Sequence, residues 1–437
     1  MSRNRIYLCL AHMSEAGLEQ KYIQEAFDTN WVVPLGPNVN GFEKDLEEFV
    51  NKMPDQGMPD QVGHDEQLKK RVVALSSGTA AVHLALIACG VGPGDDVLVQ
   101  SFTFCASSHP ITYLGATPVF VDSEADTWNM DPGLLEEAIK DRIAKTGKKP
   151  KAIVPVALYG MPYKIDRIME IADRYGIPVV EDAAEGFGSR YNGQVLGTFG
   201  RYGVLSFNGN KMITTSGGGA LITPDEDSWR EIMMYATQYR ESYPYYQHEK
   251  IGYNYRMSNI CAGIGRGQMT VANDHIAHHK HVQKLYEELL ADVPGVKVHA
   301  QPATGECDSN YWLCTIRLGP ELKIKGQENA YKTILKGAVG GAAGVIHVAD
   351  SATTDCQPND NVEALRVWMD AAGIEARPVW KPMHKQPVYK NAPAYVNGVS
   401  EAVFKVGMCL PAGPYVTDED VRYIVETIKK AIVPADL

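Results

Sequence analysis

The chain contains 437 residues, and because a domain usually has about 100–200 residues, this length favours two or three domains. Hydrophobic residues make up 45% and charged residues 22%, which is typical of a globular protein and excludes a disordered chain. The net charge of −11 argues against nucleic acid as a partner, because binding to nucleic acid needs many cations. No segment approaches the ~20 apolar residues of a membrane span, and the N-terminus lacks the apolar core of a signal peptide. The eight cysteines include no C-x-x-C pair, so we expect reduced thiols. Together with the lack of a predicted membrane span, this favours a cytoplasmic location and no membrane partner.

From about residue 72, short apolar runs alternate with helical stretches. The predicted strands are RVVALSSG, DDVLVQSFT, TPVFVD, KAIVPVALYG and IPVVEDAA. The predicted helices between them are TAAVHLALIACGV, HPITYLGA, MDPGLLEEAIKDRIAK and KIDRIMEIADRYG. Strands that are apolar throughout and separated by helices predict an α/β fold, with a mainly parallel sheet covered by helices on both faces.

After about residue 270 the pattern changes. The predicted elements are the helix HKHVQKLYEELLADV, the strand YWLCTIRLG and the helices NVEALRVWMDAAG and DEDVRYIVETIKKAI. We therefore predict a large α/β domain over residues 1–275, with an N-terminal arm over 1–40, and a smaller α+β domain over 276–437. Weak periodicity and many Gly and Ala residues predict an insertion over 323–361, and residues 51–65 form a predicted polar loop.

Polar residues follow the apolar runs at the predicted strand ends. In a parallel sheet the ligand site lies beyond the carboxyl ends of the strands, in the loops that follow them. The residues in these positions are Ser76–Thr79, Ser101–Phe104, Asp122, Tyr159–Gly160 and Glu181–Asp182.

Lys211 lies between the apolar run Tyr202–Phe207 and a Thr-Thr-Ser-Gly-Gly-Gly turn that leads into a second apolar run. Most lysines are solvated surface cations, and Lys211 taken alone would be read in that way. Placement between apolar strands instead favours a neutral amine, which can attack a carbonyl and form a Schiff base. The glycine triplet would let the backbone approach a planar ring, although it is equally compatible with a flexible turn.

Asp182 ends the strand IPVVED and is a candidate partner for Lys211. An enzyme that uses pyridoxal 5′-phosphate (PLP) needs a carboxylate beside the pyridine nitrogen, because the protonated ring is the electron sink. The turn Ser77-Gly78-Thr79 opens a predicted helix, whose N-terminus favours a bound phosphate. Phe104 ends the next strand and could stack on the ring. Each of these features also has an ordinary structural explanation: a salt-bridged acid or helix cap, an N-cap, and a core aromatic residue.

Together these residues resemble the DegT/DnrJ/EryC1/StrS sugar aminotransferases, which are PLP enzymes of fold type I. The resemblance extends from about residue 6 to residue 434, with the motifs in family order. The matching motifs are PLGPNVNGFEKDLEEF, ALSSGTAAVHLAL, LGATPVFVD, VVEDAAEGFGS, SFNGNK, TTSGGGAL, GYNYRMSNICAGIGRGQ and ARPVWKPMHKQPVY.

The resemblance implies that Lys211 holds PLP and moves protons, while Asp182 contacts the pyridinium nitrogen. It implies phosphate contacts from Ser77, Gly78, Thr79 and Ser206, a stacking role for Phe104, and positions near the cofactor for Glu185 and Asn208. It also implies a homodimer with shared active sites, in which Asn254 reaches the cofactor phosphate of the other subunit. The implied substrate-binding residues are Trp31, Arg256, Arg377, Trp380, Lys381 and His384.

The implied reaction transfers the amino group of L-glutamate, which leaves as 2-oxoglutarate, to a nucleotide-linked keto sugar through the pyridoxamine 5′-phosphate (PMP) form. Three positions depart from the common family pattern: Ala157 and Asn208 stand where the family often has other residues, and Ser216–Gly219 replaces a Gly-Glu-Gly-Gly turn. The motifs most resemble the branch that acts on UDP-4-keto-6-deoxy-hexosamines, as in bacillosamine-type pathways. Alternatives are a GDP-4-keto-6-deoxymannose aminotransferase of the perosamine type and a 3-keto sugar aminotransferase.

The sequence also raises two other hypotheses, a regulatory function and a metal site. A protein that binds PLP or a sugar nucleotide as a regulator would keep the same anchoring residues. The histidines of DHIAHHKHVQK could share a helix face as metal ligands do, but no carboxylate or cysteine completes a metal motif, so we expect no metal site.

Overall fold

The computed structural model describes residues 4–52, 69–332 and 356–434. Most of the predicted polar loop, residues 53–65, and the middle of the predicted insertion, residues 333–355, lie outside the described residues.

The described helices and strands follow the predicted order from β1 onward. The helices are α1 (Leu18–Asp28), α2 (Pro37–Val50), α3 (Gly78–Ala88), α4 (His109–Tyr113), α5 (Pro132–Thr146), α6 (Ile165–Tyr175), α7 (Glu226–Ala236), α8 (Asn259–Met269), α9 (Ala272–Leu290), α10 (Asp360–Ala371), α11 (Val399–Val406) and α12 (Asp418–Ala431). The strands are β1 (Arg71–Leu75), β2 (Asp96–Gln100), β3 (Thr117–Val121), β4 (Ala152–Val154), β5 (Val180–Asp182), β6 (Arg190–Tyr191), β7 (Gln194–Val195), β8 (Tyr202–Ser206), β9 (Gly219–Thr223), β10 (Val296–Val298), β11 (Cys307–Asp308), β12 (Cys314–Leu318), β13 (Arg377–Pro378), β14 (Ala394–Tyr395) and β15 (Gly407–Leu410).

A long twisted sheet forms the centre of the fold. One part has the order β1-β9-β8-β5 and the other the order β14-β3-β2-β4. Parallel bridges from Ile153 to Val179 and from Val156 to Asp182 join β4 to β5 and connect the two parts. Both neighbours of β9 run antiparallel to it, whereas the other neighbouring pairs are parallel. The prediction of a mainly parallel sheet flanked by helices, of fold type I, is therefore confirmed.

The strands are buried because they are apolar on both faces, and the helices between them have clear start signals. Residues 72–75, 97–100 and 118–121 are all buried, as expected for a sheet covered on both sides. Helix α5 starts at the N-cap Asp131, whose side chain accepts hydrogen bonds from the N–H groups of Gly133 and Leu134. The helix is followed by Gly147 in the left-handed conformation, a common C-terminal cap. Local signals of this kind explain why the elements could be predicted from sequence.

A second apolar core lies in the C-terminal part of the chain. The antiparallel sheet β10-β12-β15-β13 packs with helices α9, α10 and α12 around residues such as Tyr286, Ile316 and Leu365. The predicted α+β elements of this region are confirmed. Helix α9 runs through the predicted boundary at residue 275, and β14 returns to the central sheet beside β3. The division of the chain at that residue remains a prediction.

The N-terminal helices were not predicted. Helix α1 packs on α8, and α2 packs between α8 and β1, so that the N-terminal region covers one side of the central sheet. Ile6 reaches the second core, where it pairs with Ile374. All eight cysteines are free, which agrees with the predicted reduced thiols. In the described ranges no helix combines the length and apolarity that crossing a bilayer would need.

Candidate active site

Asp182 lies at the carboxyl end of β5 and is buried. Its Oδ2 accepts a hydrogen bond of 2.6 Å from Ser107 Oγ, and its Oδ1 accepts one of 3.1 Å from the Ala184 N–H. Burial raises the pKa of the Asp182 carboxyl, while the Ser107 and Ala184 hydrogen bonds and the charge of Lys211 oppose this rise. A buried carboxylate held by two neutral donors is suited to a cationic partner such as a protonated pyridine nitrogen.

Lys211 follows β8 and approaches the same strand ends. Its Nζ lies 3.3 Å from Glu185 Oε1 and 4.1 Å from the centre of the Trp312 ring. Glu185 is buried three residues beyond Asp182, and its Oε2 accepts a 2.7 Å hydrogen bond from the Tyr159 N–H. Burial raises the pKa of Glu185, and the charge of Lys211 counters the rise. The fold thus brings the predicted pair Lys211 and Asp182 to one end of the sheet, with Glu185 beside the amine.

Tyr159 sits in an unusual backbone conformation beside these groups. It has φ 54° inside a 3-10 turn, a conformation that bulky residues rarely adopt. The following Gly160 is essential for this turn, since a Cβ there would lie 1.8 Å from Asn310 Oδ1. The Tyr159 hydroxyl accepts a 2.7 Å hydrogen bond from the Trp380 N–H, and its ring stacks at 19° to Trp312 and 22° to Trp380. Tyr159 therefore links the Lys211 side of the site to the Trp380 side.

The predicted phosphate turn lies at the start of α3. Ser77 is the N-cap, and its Oγ accepts a 3.1 Å hydrogen bond from the Ala80 N–H. The first N–H groups of a helix have no acceptor within the helix, so those of Gly78 and Thr79 can serve a phosphate. Ser206 at the end of β8 packs against this turn, because a Cβ on Gly78 would lie 3.0 Å from the Ser206 Cβ. The donors that a phosphate needs are thus grouped beside the strand ends.

Phe104 and Trp380 form an aromatic pair next to the site. Their ring centres are 5.3 Å apart, and Phe104 is 50% exposed. A half-exposed ring at the end of a buried strand is not an ordinary core residue, which favours the stacking role over the structural explanation. Asn208 is exposed, and its carbonyl accepts a 2.9 Å hydrogen bond from the Lys211 N–H, so it shapes the loop that carries the lysine.

Several predicted substrate residues use their polar groups elsewhere in the chain. The side chain of Arg256 is 9% exposed, and its guanidinium contacts both carboxylate oxygens of Glu43, at 2.5 and 3.3 Å, and the Ala74 carbonyl at 2.9 Å. These contacts hold α2 on β1 and give Arg256 a structural role within this chain. Exposed Arg377 pairs with Glu375 at 2.7 Å.

The predicted residue His384 is also occupied by internal contacts. Its Nδ1 lies 2.7 Å from Ser101 Oγ and its Nε2 lies 3.2 Å from Glu401 Oε1, so the imidazole fastens its segment to the end of β2. Half-buried Lys381 lies in the same segment. A substrate role for these residues remains a prediction.

The remaining predicted residues lie on the surface of this chain. Trp31 is 40% exposed, and its carbonyl accepts a 2.9 Å hydrogen bond from Asn259 Nδ2. Asn254 is exposed and forms a backbone bridge with Thr237. The predicted contact of Asn254 is with the cofactor phosphate of a partner subunit, and the substrate role of Trp31 remains a prediction.

Sequence reasoning missed two residues of the site. Ser107 lies only three residues after Phe104, and its position after a strand end is a signal that could have identified it. Trp312 lies in the predicted strand YWLCTIRLG, far along the chain from Lys211, and no local pattern marks it. Tyr159 was noted at a strand end, but its contacts with Glu185 and Trp380 depend on the tertiary structure.

Three histidines of α9 contact different parts of the chain. His275 Nδ1 lies 3.2 Å from the Met212 carbonyl, His279 Nδ1 lies 3.1 Å from the Tyr311 carbonyl, and His281 contacts Asp418. A search of the described ranges finds no group of three or more His, Cys, Asp or Glu side chains placed to hold a metal ion. Burial lowers the pKa of His279 to about 3, so this residue is a neutral core side chain.

A fold-type-I sheet with a lysine, a buried aspartate and a helix N-terminus at its carboxyl edge defines a PLP-dependent enzyme. The model of the DegT/DnrJ/EryC1/StrS aminotransferase family matches residues 64–338 and 341–429. The chain belongs to this family and is a PLP-dependent sugar aminotransferase, which works through PLP and PMP forms.

Similar proteins agree with this assignment. EpsN of Bacillus subtilis (strain 168), whose name describes a pyridoxal phosphate-dependent aminotransferase, is 41% identical over 97% of this chain and 95% of its own length. The GDP-perosamine synthase of Caulobacter vibrioides is 33% identical over 95% of this chain and 96% of its own length. Among solved structures, the PMP form of the sugar aminotransferase Spr1654 from Streptococcus pneumoniae aligns with a TM-score of 0.78, 25% identity, and coverage of 98% of this chain and 97% of that one.

Proposed function

We propose that this enzyme transfers the amino group of L-glutamate to the keto carbon of a nucleotide-linked 4-keto-6-deoxy sugar. The observation that carries the proposal is the convergence of Lys211, Glu185 and Asp182 beside the N-terminus of α3, at the carboxyl edge of the sheet. This is the set of groups that anchors and tunes PLP, and it lies next to the half-exposed Phe104.

Each residue has a distinct role in this proposal. When bound, PLP supplies an aldehyde that takes up the amino group and a ring that accepts electrons. Lys211 would be the covalent anchor, and its Nζ would move a proton between the substrate carbon and the cofactor carbon. Asp182 contacts the pyridine nitrogen, and Ser107 keeps the carboxylate ionised by hydrogen bonding. Glu185 lies near the cofactor and holds the amine of Lys211.

The remaining contacts in the proposal are with the phosphate and with the ring of the cofactor. Ser77, Gly78, Thr79 and Ser206 bind the phosphate at the start of α3, where the helix dipole favours a negative charge. Phe104 covers one face of the ring.

Two candidates for the sugar substrate have support. The first is UDP-2-acetamido-4-keto-2,6-dideoxyhexose, supported by the resemblance of the SFNGNK and TTSGGG motifs to enzymes of that branch. The second is GDP-4-keto-6-deoxymannose, supported by the similarity to the GDP-perosamine synthase. Trp31, Arg377, Trp380, Lys381 and His384 are the residues that we predict to surround the sugar nucleotide, whereas the guanidinium of Arg256 is engaged by Glu43.

A homodimer with shared active sites completes the proposal. The support is the exposed Asn254, together with apolar side chains that are exposed in the N-terminal region. These apolar side chains are Tyr7, Leu10, Phe27, Trp31, Val32, Val33 and Leu35. Four of them lie within the five residues 31–35, and exposed apolar surface of this kind is typical of a protein interface.

Borohydride reduction of the purified enzyme followed by peptide mass spectrometry tests the cofactor assignment. We expect the phosphopyridoxyl label on the peptide that contains Lys211, and no label there in Lys211→Ala. A label on another lysine would overturn the assignment.

Incubation with glutamate and each keto sugar nucleotide, followed by mass spectrometry of the products, tests the substrate. Preferential amination of the UDP sugar supports the first candidate, and preferential amination of the GDP sugar replaces it with the second. Amination only of a 3-keto sugar would contradict both.

Mixing two inactive variants tests the shared sites. If one site uses Lys211 of one subunit and Asn254 of the other, a heterodimer of Lys211→Ala and Asn254→Ala chains contains one intact site. We expect the mixture to recover activity after subunit exchange. An active monomer, or a mixture that recovers nothing despite exchange, would refute the shared site.

A further inference from the structure

The ring of Trp312 lies against the amine of Lys211. The distance from Nζ to the ring centre is 4.1 Å, well within the range of a cation–π contact. Trp312 is almost completely buried, with 1% of its surface exposed. A buried core indole thus presents its face to the amine that is proposed to carry the cofactor.

Hydrogen bonds connect Trp312 to the segment that carries Lys211. Its indole N–H donates a 2.7 Å hydrogen bond to the carbonyl of Asn210, the residue directly before Lys211. Its backbone N–H donates a 2.8 Å hydrogen bond to Asn310 Oδ1, and Asn310 Nδ2 in turn donates to the Glu185 carbonyl at 2.9 Å. The ring therefore keeps a constant position relative to both Lys211 and Glu185.

Glu185 provides the second contact of the amine, with its Oε1 3.3 Å from Nζ. Its other oxygen is held by the Tyr159 N–H, and the Tyr159 ring stacks on Trp312 with ring centres 6.4 Å apart. Tyr159 thus contacts both the Glu185 carboxylate and the Trp312 indole. The amine of Lys211 lies between two groups that are also held by hydrogen bonds in which the amine takes no part.

An aromatic face and a carboxylate hold an amine in different ways. The carboxylate attracts the charge strongly and can share its proton, whereas the ring attracts the ammonium but has no site that accepts a proton. A second carboxylate in place of the ring would oppose the loss of a proton from the amine. A niche with one carboxylate and one ring therefore keeps the lysine in place and still lets it act as a base.

We infer that Trp312 and Glu185 form a resting site that holds the Lys211 amine whenever it is not bonded to the cofactor, and that Trp312 is a positioning residue for proton transfer. The inference rests on the proposal that Lys211 carries PLP. It adds that the lysine returns to a defined place in the PMP form, in which the amino group has moved to the cofactor and the lysine is free.

Acetylation of lysines in the PMP form tests this inference. The enzyme is converted to that form with excess glutamate, pulsed with acetic anhydride at pH 8, and digested for mass spectrometry. The readout is the acetylation of Lys211 relative to the exposed Lys140 of the same molecule. The variants are Trp312→Leu, which removes the ring, and Trp312→Phe, which keeps an aromatic face and loses only the indole N–H.

We expect Trp312→Leu to raise the acetylation ratio about fivefold, because the ammonium form loses the stabilising ring. In the same variant we expect the rate constant for amination of the keto sugar to fall about tenfold with little change in KM, because the base is misplaced while sugar binding is kept. Trp312→Phe should restore both values to within about threefold of wild type.

The outcome separates this inference from the proposed function. Borohydride labelling of Lys211 in all three proteins, together with an unchanged acetylation ratio in Trp312→Leu, overturns the resting site and leaves the cofactor assignment intact. A borohydride label on another residue overturns the cofactor assignment itself. Equal losses in the Leu and Phe variants would show that Trp312 serves only packing, and would also overturn the inference.

Discussion

Gly219 lies where β9 meets the phosphate turn, and a side chain there should disrupt cofactor binding. A Cβ on Gly219 would lie 2.4 Å from the Gly78 nitrogen and 2.4 Å from the Ser77 carbonyl carbon. Both contacts are with backbone atoms at the start of α3, which cannot rotate away as a flexible side chain could. The turn that holds the Gly78 and Thr79 N–H groups must therefore move in a Gly219→Ala variant.

The size of the effect follows from this distance. Ordinary van der Waals contact begins near 3.4 Å, so the strand and the turn must separate by about 1 Å, which is 3.4 minus 2.4. Overpacking of this kind costs about 1–3 kcal/mol. Since 1.4 kcal/mol corresponds to a factor of ten, a loss of this size in the binding of the phosphate would weaken PLP binding by roughly 5–140-fold.

Gly217 provides a matched control in the same glycine turn. A Cβ at Gly217 has no atom within 4 Å, so Gly217→Ala changes the same residue type two positions away without a clash. PLP affinity is measured by titrating the cofactor-free enzyme and following absorbance, and stability by urea unfolding of the same samples. We expect Gly219→Ala to lose both affinity and stability, and Gly217→Ala to match wild type. If both variants bind PLP with equal affinity, the close approach of β9 is not what positions the phosphate turn.

Three other changes test the remaining parts of the structure. Ser107→Ala removes the hydrogen bond to Asp182, which is worth about 1.5–3 kcal/mol for a charged acceptor, so we expect the pKa of Asp182 to rise further. The glutamate half-reaction, followed by the loss of PLP absorbance, should then slow at least about tenfold at pH 7; an unchanged rate would argue against the role of Ser107. Glu43→Gln leaves Arg256 as a buried cation without its partner, and should lower the free energy of unfolding by about 3 kcal/mol while activity per folded molecule changes little. A large loss of sugar affinity without loss of stability would instead support a substrate role for Arg256. Burial lowers the pKa of His299 to about 3. Below pH 6.5 the unfolded chain therefore takes up a proton that the folded chain does not. As a result, the free energy of unfolding falls as the pH drops from 6.5 towards 3. Between pH 7.5 and 5 this costs about 2 kcal/mol. The variant His299→Phe, which keeps the stacking on Trp128, should reduce the loss in urea unfolding at pH 5 relative to pH 7.5; equal acid sensitivity in both proteins would contradict it.

The order of strands and helices, and the sheet edge at which the chemistry lies, could be predicted from local sequence patterns. Apolar strands such as TPVFVD and capped helices such as α5 are recorded in local patterns, because burial and hydrogen bonding of neighbouring residues decide them. The carboxyl ends of parallel strands meet at one edge, so Asp182 and the Ser77–Thr79 turn could be assigned to the site before any coordinates were considered. The family resemblance added the cofactor and the reaction class.

The neighbours of these residues could not be predicted in this way, because they depend on the packing of distant elements. Arg256 has the same charge whether it contacts a substrate or Glu43, and its burial beside α2 is a property of packing that no local pattern records. Trp312 reaches Lys211 from the C-terminal part of the chain, and the glycine triplet proved to allow the approach of β9 to the phosphate turn. Contacts between residues distant in sequence depend on how whole elements pack, and for this reason the lysine could be identified from the sequence while the niche that holds its amine could not.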